Sequence, residues 1–381
     1  MTPPLALDPP VRQALLTVAA HGLPTGGHAA APAAPLDDHG WRGLLAAVHV
    51  ERIAGLLDRA VADGALPTTA GQSEDAEAAA AQSLRAVLHL ERSLLRVAER
   101  LAGDTIPFLV LKGPAVARLD EEHPSLRQYA DIDILVRGPD VDAAVTTLAS
   151  LGYRRDLPER RPGFDRHYGK EVCLAKERGS ELDLHRTLVV GAFGLRLDLA
   201  AVWGSTTTFC VGGVGLEALD AEGRFVHACL NAVLGDERPR LVALRDVARI
   251  STCHALRPER LRALLPPGQG GAVIELATGL ARSTLGVEIG PEAAAAGSPP
   301  QGWERLSLRA YRARGGSNTL ELLSGALGLR GPARLEYLRA VVAPQRAYRE
   351  ARQRAGRPRE WRAGLRELLG GHSGPRTARR G

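Results

Sequence analysis

The feature that most constrains this chain is a change of hydrophobic pattern just after Gly103, where a helical repeat of apolar residues ends. The next apolar run, Ile106-Pro107-Phe108-Leu109-Val110-Leu111, is too short for a helix and is typical of a buried strand. It leads directly into Lys112-Gly113-Pro114, and proline is favoured in the first turn of a helix. The segment therefore predicts a strand, a glycine turn and then a helix.

Short strands are also predicted downstream, at 132–136, 171–175, 181–188, 206–211 and 214–219. The turns at 177–180 and 212–213 favour hairpins, and residues 141–151 have helical spacing. Helical periodicity dominates both ends of the chain, with Ser73 as a predicted N-cap. This order predicts an α+β fold, in which a small mixed β-sheet is flanked by N- and C-terminal helical regions.

Composition shifts divide the chain into four predicted parts. These are an N-terminal helical region (1–102), a sheet-bearing core (103–220), a C-terminal helical domain (221–344), and an Arg-rich helix with a flexible tail (345–381).

Acidic residues alternate on two of the predicted strands. Asp131 and Asp133 would share one strand face, and Glu181, Asp183 and His185 would share another. An isolated acidic pair is commonly a solvated strand end. Here, however, two adjacent carboxylates follow a strand, a glycine turn and a helix, and a third acid lies on a later strand. Such a group is costly without a cation and suits Mg²⁺ or Mn²⁺, so we predict a divalent metal site.

Three sequence blocks, FLVLKGPAVA, LRQYADIDILVR and ELDLHRTL, carry a family resemblance. They resemble the polymerase-β-like nucleotidyltransferase superfamily and, more narrowly, a bacterial family of uncharacterised nucleotidyltransferases with LKG, DIDLLV and LDLHW blocks. The resemblance is expected to run from about residue 41 to about residue 343. It implies that residues 103–220 are a nucleotidyltransferase core.

The resemblance also implies roles for individual residues. Asp131, Asp133 and Asp183 would be the catalytic carboxylates and metal ligands, with Asp183 as the third acid; Glu181 is the alternative. Gly113 would let the backbone approach a nucleoside triphosphate.

The glycine turn departs from the superfamily pattern, which normally has Gly-Ser, because Pro114 removes a hydroxyl and an N–H from the expected phosphate cradle. Lys112 and Arg127 are therefore predicted to supply positive charge to the phosphates. Lys112 stands out because the chain has only three lysines among 49 basic residues.

Charge and composition limit which classes of partner molecule and which cellular compartment we expect. The net charge of +6 arises in the tail, where residues 345–381 hold eleven arginines and three glutamates, so the rest of the chain has a net charge of −2. With only 4% aromatic residues for base stacking, a nucleic-acid acceptor is disfavoured. No apolar run reaches the roughly 20 residues of a membrane span, and four scattered cysteines favour a reducing compartment, so we expect a cytoplasmic location.

A zinc site is not predicted from the cysteine and histidine residues of the C-terminal half. Residues 227 and 229 would point about 200° apart on a helix. For His227, Cys229, Cys253 and His254 we therefore expect buried thiols and a capping histidine.

The sequence thus predicts a Mg²⁺-dependent nucleotidyltransferase that uses an NTP as co-substrate and releases pyrophosphate. The acceptor hydroxyl could belong to a small molecule, a peptide or a protein. The alternative is a non-catalytic nucleotide-binding or partner-binding module whose altered glycine turn does not hold a triphosphate productively.

Overall fold

The computed structural model describes residues 7–24, 31–176, 179–236, 238–266, 270–312 and 319–355. The predicted flexible tail and the predicted turn at 177–178 therefore lie outside the described residues. Within them, no helix has the length and the apolar content that crossing a membrane requires.

Helices precede, interrupt and follow a set of seven strands in the described part of the chain. In chain order the elements are α1 Pro9–Ala20, α2 Asp38–Glu51, α3 Ala54–Ala62, α4 Ala70–Gly103, β1 Phe108–Val110, α5 Gly113–Leu119, β2 Ile132–Val136, α6 Val141–Ala149, β3 Arg154–Arg155, α7 Phe164–His167, β4 Glu171–Ala175, β5 Glu181–His185, α8 Gly191–Arg196, α9 Leu199–Trp203, β6 Thr206–Val211, β7 Val214–Leu219, α10 Ala221–Leu234, α11 Leu241–Cys253, α12 Pro258–Leu264, α13 Gly271–Leu285, α14 Pro291–Ala295, α15 Gly302–Arg312, α16 Thr319–Ser324, α17 Gly331–Val342 and α18 Arg346–Arg354.

The strands form one mixed sheet in the order β3-β4-β5-β2-β1-β7-β6. The central strand β2 runs antiparallel to β1 and parallel to β5, and the predicted hairpins β4–β5 and β6–β7 are both antiparallel. The α+β prediction is confirmed, and four strands have the predicted bounds. The short edge strand β3 was not predicted, because two residues give no periodicity.

The long helix α4 begins earlier than predicted. Its N-cap is Thr69, whose side chain accepts a hydrogen bond from the Gln72 backbone N–H. The Gln72 side chain in turn accepts a hydrogen bond from the Thr69 backbone N–H. This capping box replaces the predicted Ser73 cap, because a reciprocal pair satisfies two N–H groups instead of one. The helix ends at Gly103, as predicted.

Each face of the sheet packs against a different hydrophobic core. Alternate residues of β2 and β5, including Ile132, Ile134 and Leu184, join α4 and α6 on one side. On the other side Leu109 and Leu135 join α10, α11 and α13, together with the N-terminal helices α1, α2 and α3. The N- and C-terminal helices thus share one core, which covers the sheet face to which Asp133 also belongs by strand alternation.

Candidate active site

The register of three neighbouring strands gathers the polar side chains of the site. In the parallel pair β2–β5, Asp133 lies directly opposite Asp183. In the antiparallel pair β4–β5, Cys173 lies opposite Asp183 and Glu171 lies opposite His185. Directly opposed residues share a sheet face, so all five side chains project toward the same side.

Asp133 is the most enclosed acid of this group, with only 2% of its surface exposed. Its Oδ1 atom lies 2.7 Å from Lys112 Nζ and 2.8 Å from His185 Nε2. Burial alone would raise the pKa of Asp133, but the Lys112 charge and the His185 hydrogen bond outweigh burial and hold that pKa well below its usual range. The carboxylate is therefore charged at every physiological pH.

Lys112 has an unusual backbone conformation that aims it at the site. It precedes α5 with φ 37° and ψ −138°, in the positive-φ region that non-glycine residues rarely adopt. The neighbouring Leu111 N–H donates to the Asp133 carbonyl at 2.9 Å, which ties the turn to β2. Strain of this kind persists where the surrounding structure fixes it, and it is concentrated at functional sites.

Gly113 is required in this turn by its packing. A Cβ atom there would lie 2.9 Å from Cγ of the buried Tyr129 ring, closer than carbon atoms approach in proteins. Tyr129 is itself fixed, because its hydroxyl donates to Glu91 of α4 at 2.8 Å. The phosphate-binding role of Gly113 stays a prediction.

The pKa of Asp183 is displaced in the opposite direction to that of Asp133. Burial raises the pKa of Asp183 to about 6, and the charges of Glu171 and Asp133 act in the same direction. A carboxylate with this pKa is still largely ionised at neutral pH and accepts a proton more readily than an ordinary aspartate.

Asp131 makes different contacts from the other two predicted acids. It precedes β2 in a bend, and its half-buried carboxylate is 3.9 Å from Arg52 Nη1 of the N-terminal region. Among the described residues, the ligand atoms that cluster around Asp133 do not include those of Asp131. Of the two acids only Asp133 lies within β2, so strand alternation does not by itself fix the direction of Asp131. The ligand role of Asp131 stays a prediction.

Arg127 is held by a buried ion pair. Its Nε and Nη2 atoms donate to the two oxygens of Asp246 in α11, at 2.7 and 2.8 Å, and it is only 5% exposed. This bidentate pair fixes the connection between α5 and β2 against the C-terminal helices. The predicted contact between Arg127 and phosphate stays a prediction, and the geometry shows a positioning role.

Two residues of the site, Lys170 and Glu171, were not among the predicted site residues. Lys170 Nζ lies 2.6 Å from Glu171 Oε2, which is also 3.4 Å from His185 Nε2. Burial alone would lower the pKa of Lys170, but the Glu171 carboxylate raises it above its usual range. The rarity of lysine was the available signal, because two of the three lysines in the chain lie in this site.

A sequence profile of the family described as "Uncharacterised nucleotidyltransferase" matches residues 37–285. The chain belongs to this family. The match includes all three blocks on which the resemblance was based and ends before the predicted limit at residue 343. Membership supports nucleotidyl transfer as the general activity and an NTP as the substrate class.

A solved structure is similar to part of this member of the family. The crystal structure of an antigenic nucleotidyltransferase-like protein from Paracoccidioides brasiliensis is similar over 54% of this chain and 96% of its own, with 14% sequence identity and a TM-score of 0.33. No curated protein matches the sequence significantly.

Two overlapping groups of possible metal ligands occur in the site of this family member. Asp133, Asp183 and His185 form one group, and Glu171, Cys173 and Asp183 form the other; within each group the ligand atoms lie within 4.8 Å of one another. The carboxylate oxygens of Asp133 and Asp183 are the ligands that Mg²⁺ or Mn²⁺ prefers, so these two donors of the first group fit the predicted ion, whereas the imidazole of His185 is more typical of softer metals.

A cavity of about 640 Å³ lies beside these carboxylates. Lys112, Glu171 and Cys173 line it on the sheet side, and residues of α10 line it on the helix side. A cavity of this size accommodates a nucleotide or a small acceptor.

Proposed function

We propose that this protein transfers a nucleoside monophosphate from an NTP to an acceptor hydroxyl and releases pyrophosphate, with Mg²⁺ or Mn²⁺ as the cofactor. The observation that carries the proposal is the direct opposition of Asp133 and Asp183 on neighbouring parallel strands, with Lys112 Nζ 2.7 Å from Asp133. Paired carboxylates beside a lysine provide both of the functions that phosphoryl transfer needs, namely cation binding and charge stabilisation.

The metal would be held by Asp133 and Asp183, with His185 beside them and Asp131 as a further proposed ligand. When bound, it would neutralise phosphate charge and favour attack on the α-phosphorus. The grouping of the Asp133, Asp183 and His185 ligand atoms within 4.8 Å of one another supports this assignment.

The protein side chains have separate roles in the proposed reaction. Lys112, supported by Gly113 and Arg127 in the predicted nucleotide site, neutralises the phosphates. Asp183 accepts the proton of the acceptor hydroxyl; the acceptor oxygen forms a bond to the α-phosphorus, and the bond to the departing pyrophosphate breaks. The raised pKa of Asp183, about 6, supports this assignment, since proton transfer is favoured near the operating pH.

The chain outside the core would shape the site. We propose that residues 103–220 carry the chemistry and that the helices in 1–102 and 221–344 enclose the acceptor. The shared hydrophobic core of these two helical regions supports this arrangement.

A non-catalytic nucleotide-binding module is the second candidate. The observation that favours it is the Lys112 ammonium, which already pairs with Asp133 where a cation would bind. Pro114, without an N–H, also weakens the expected phosphate cradle.

One experiment separates the two functions. The purified chain is incubated with each of the four NTPs and Mg²⁺ or Mn²⁺, while released pyrophosphate and the mass of the protein are monitored. Pyrophosphate release that Asp133→Asn abolishes, and that the exposed-site control Asp142→Asn retains, supports the enzyme. Saturable NTP binding without pyrophosphate supports the module.

A further inference from the structure

The cavity beside the carboxylates contains a histidine for which the proposed reaction has no role. His227 lies in α10 and is only 3% exposed, yet it lines this cavity together with Lys112 and with Asn231, one helical turn further on. The same three residues also border a second, small cavity of about 10 Å³. Lys112, His227 and Asn231 are thus neighbours.

The His227 ring has unused hydrogen-bonding capacity. Neither of its nitrogens has a hydrogen-bond partner among the residues that the structure describes. The ring nitrogens are not among the fully enclosed polar atoms that lack a partner, so they reach the open space of the cavity that His227 lines. Ring nitrogens that are open to a cavity and unpaired within the protein are available to hydrogen-bond a ligand that enters the cavity.

The charge of His227 limits the chemistry of that ligand. Burial, followed by the charges of Lys112 and His185, lowers the pKa of His227 well below its usual range. The ring is therefore neutral and offers one donor and one acceptor. Such a ring does not add charge for a phosphate, but it matches a hydroxyl group, which also donates and accepts.

The α10 wall of the cavity, formed by His227, Leu230, Asn231 and Leu234, contains no other ionisable side chain. Asn231 adds a second neutral donor and acceptor. Leu230 and Leu234 of the same helix are apolar, as is Leu188, which also lines the cavity. Carbohydrate rings present hydroxyls alternating with C–H surface, which is the complement of this wall.

We propose that the α10 wall of the cavity is a sugar-binding subsite in which His227 and Asn231 hydrogen-bond to adjacent hydroxyl groups of the ligand. This inference rests on the proposed function for the identity of the ligand. The hydroxyls belong either to the ribose of the NTP or to a sugar-like acceptor.

The test uses the full chain and four variants. His227→Leu and Asn231→Leu keep side-chain bulk but remove the hydrogen bonds, and His227→Gln restores a neutral donor and acceptor. Cys229→Ala is the matched control, because Cys229 is fully buried in the same helix and is not among the residues that line the cavity.

Calorimetry measures the affinity for ATP and for 2′,3′-dideoxy-ATP with Mg²⁺, and saturation-transfer NMR measures the binding of D-ribose to the chain in the presence of dideoxy-ATP. If the subsite binds the ribose, we expect His227→Leu and Asn231→Leu to weaken ATP binding about tenfold and to leave dideoxy-ATP binding unchanged. If it binds a sugar-like acceptor, both leucine variants lose the D-ribose signal while ATP affinity is unchanged. In either case His227→Gln retains more binding than His227→Leu, and Cys229→Ala behaves like the wild type.

Three results overturn the inference: equal affinities for all ligands in the wild type and both leucine variants, an equal loss in Cys229→Ala, or a wild type that binds none of the three ligands. Failure of the proposed function is a different result. In that case the hydroxyl-dependent pattern is present, but the wild type releases no pyrophosphate from ATP.

Discussion

Asp133 and Asp183 lie directly opposite each other on two parallel strands, yet their environments displace their pKa values in opposite directions. Asp133 is held ionised by Lys112 and His185, whereas burial and the nearby Glu171 charge raise the pKa of Asp183. Two adjacent acids with such different proton affinities suit two separate tasks, cation binding and proton transfer.

Loss of either acid should separate these tasks. We expect Asp133→Asn to lower pyrophosphate release by a factor of about 100 or more and to weaken the dependence on Mg²⁺, because a proposed ligand is lost. Asp183→Asn should lower the rate similarly but preserve NTP binding. Steady-state rates and calorimetry on both variants provide the check, and an unchanged rate in either one would contradict its assignment.

Lys112 should contribute to stability as well as to nucleotide binding. Lys112→Met leaves Asp133 with one cation fewer in a buried position, and we expect a loss of about 3 kcal/mol in the free energy of unfolding at pH 7. The loss should shrink below about pH 4. The pKa of Asp133 is lowered in the folded protein, so its ionised form stabilises the fold fully only above the pKa of an unfolded aspartate, about 3.9, and progressively less below it. Urea denaturation at pH 7 and pH 3 measures this, and Lys176→Met is the control outside the site; equal losses in both variants would contradict the prediction.

Gly113 should tolerate no side chain while Tyr129 is present. We expect Gly113→Ala to destabilise the protein by about 1–3 kcal/mol, because the new Cβ contacts the Tyr129 ring at 2.9 Å. Gly103→Ala, where no atom lies within 4 Å of the added Cβ, should be neutral or stabilising. Thermal unfolding compares the two variants. Adding Tyr129→Leu should cost less in the Gly113→Ala background than in the wild type, and strict additivity of the two changes would argue against the contact.

The Arg127–Asp246 pair should behave as a buried ion pair. Asp246→Ala alone should destabilise the fold by about 3–5 kcal/mol, because it leaves a buried guanidinium without its counter-ion. Replacing both residues, as Arg127→Met with Asp246→Leu, should recover most of that loss. A double-mutant cycle by urea denaturation measures the coupling, and a coupling energy near zero would refute the role of the pair in positioning.

We expect His254 to make the free energy of unfolding depend on pH in the alkaline range. A hydrogen bond to Asp120, with a further contribution from Cys253, raises the pKa of His254 to about 9. Because this value exceeds the usual pKa of histidine, about 6.5, the stabilisation is complete below pH 6.5 and is lost as the pH rises through 9. We expect His254→Gln to unfold more readily than the wild type at pH 6 and to show a smaller change between pH 6 and pH 9.5. Identical pH profiles would contradict this.

The sequence alone predicted the elements whose signal is local. The strands that contain Asp133 and Cys173 were predicted with their observed bounds, because alternation and run length are properties of a few consecutive residues. The family was also predicted, because each of the three blocks that carry the resemblance is a run of consecutive residues. The matched profile confirms the family.

Only the tertiary structure decided which side chains meet. Lys170 and Glu171 reach the acids through the β4–β5 register, and Arg127 finds its partner 119 residues away in α11. Asp131, in the bend before β2, lies 3.9 Å from Arg52 Nη1, a contact that the sequence spacing did not indicate. The physical reason is that a local pattern fixes the face on which a residue lies, whereas its charge partner depends on long-range packing. In a chain with 49 basic residues, only that packing selects the arginine or lysine that pairs with each acid.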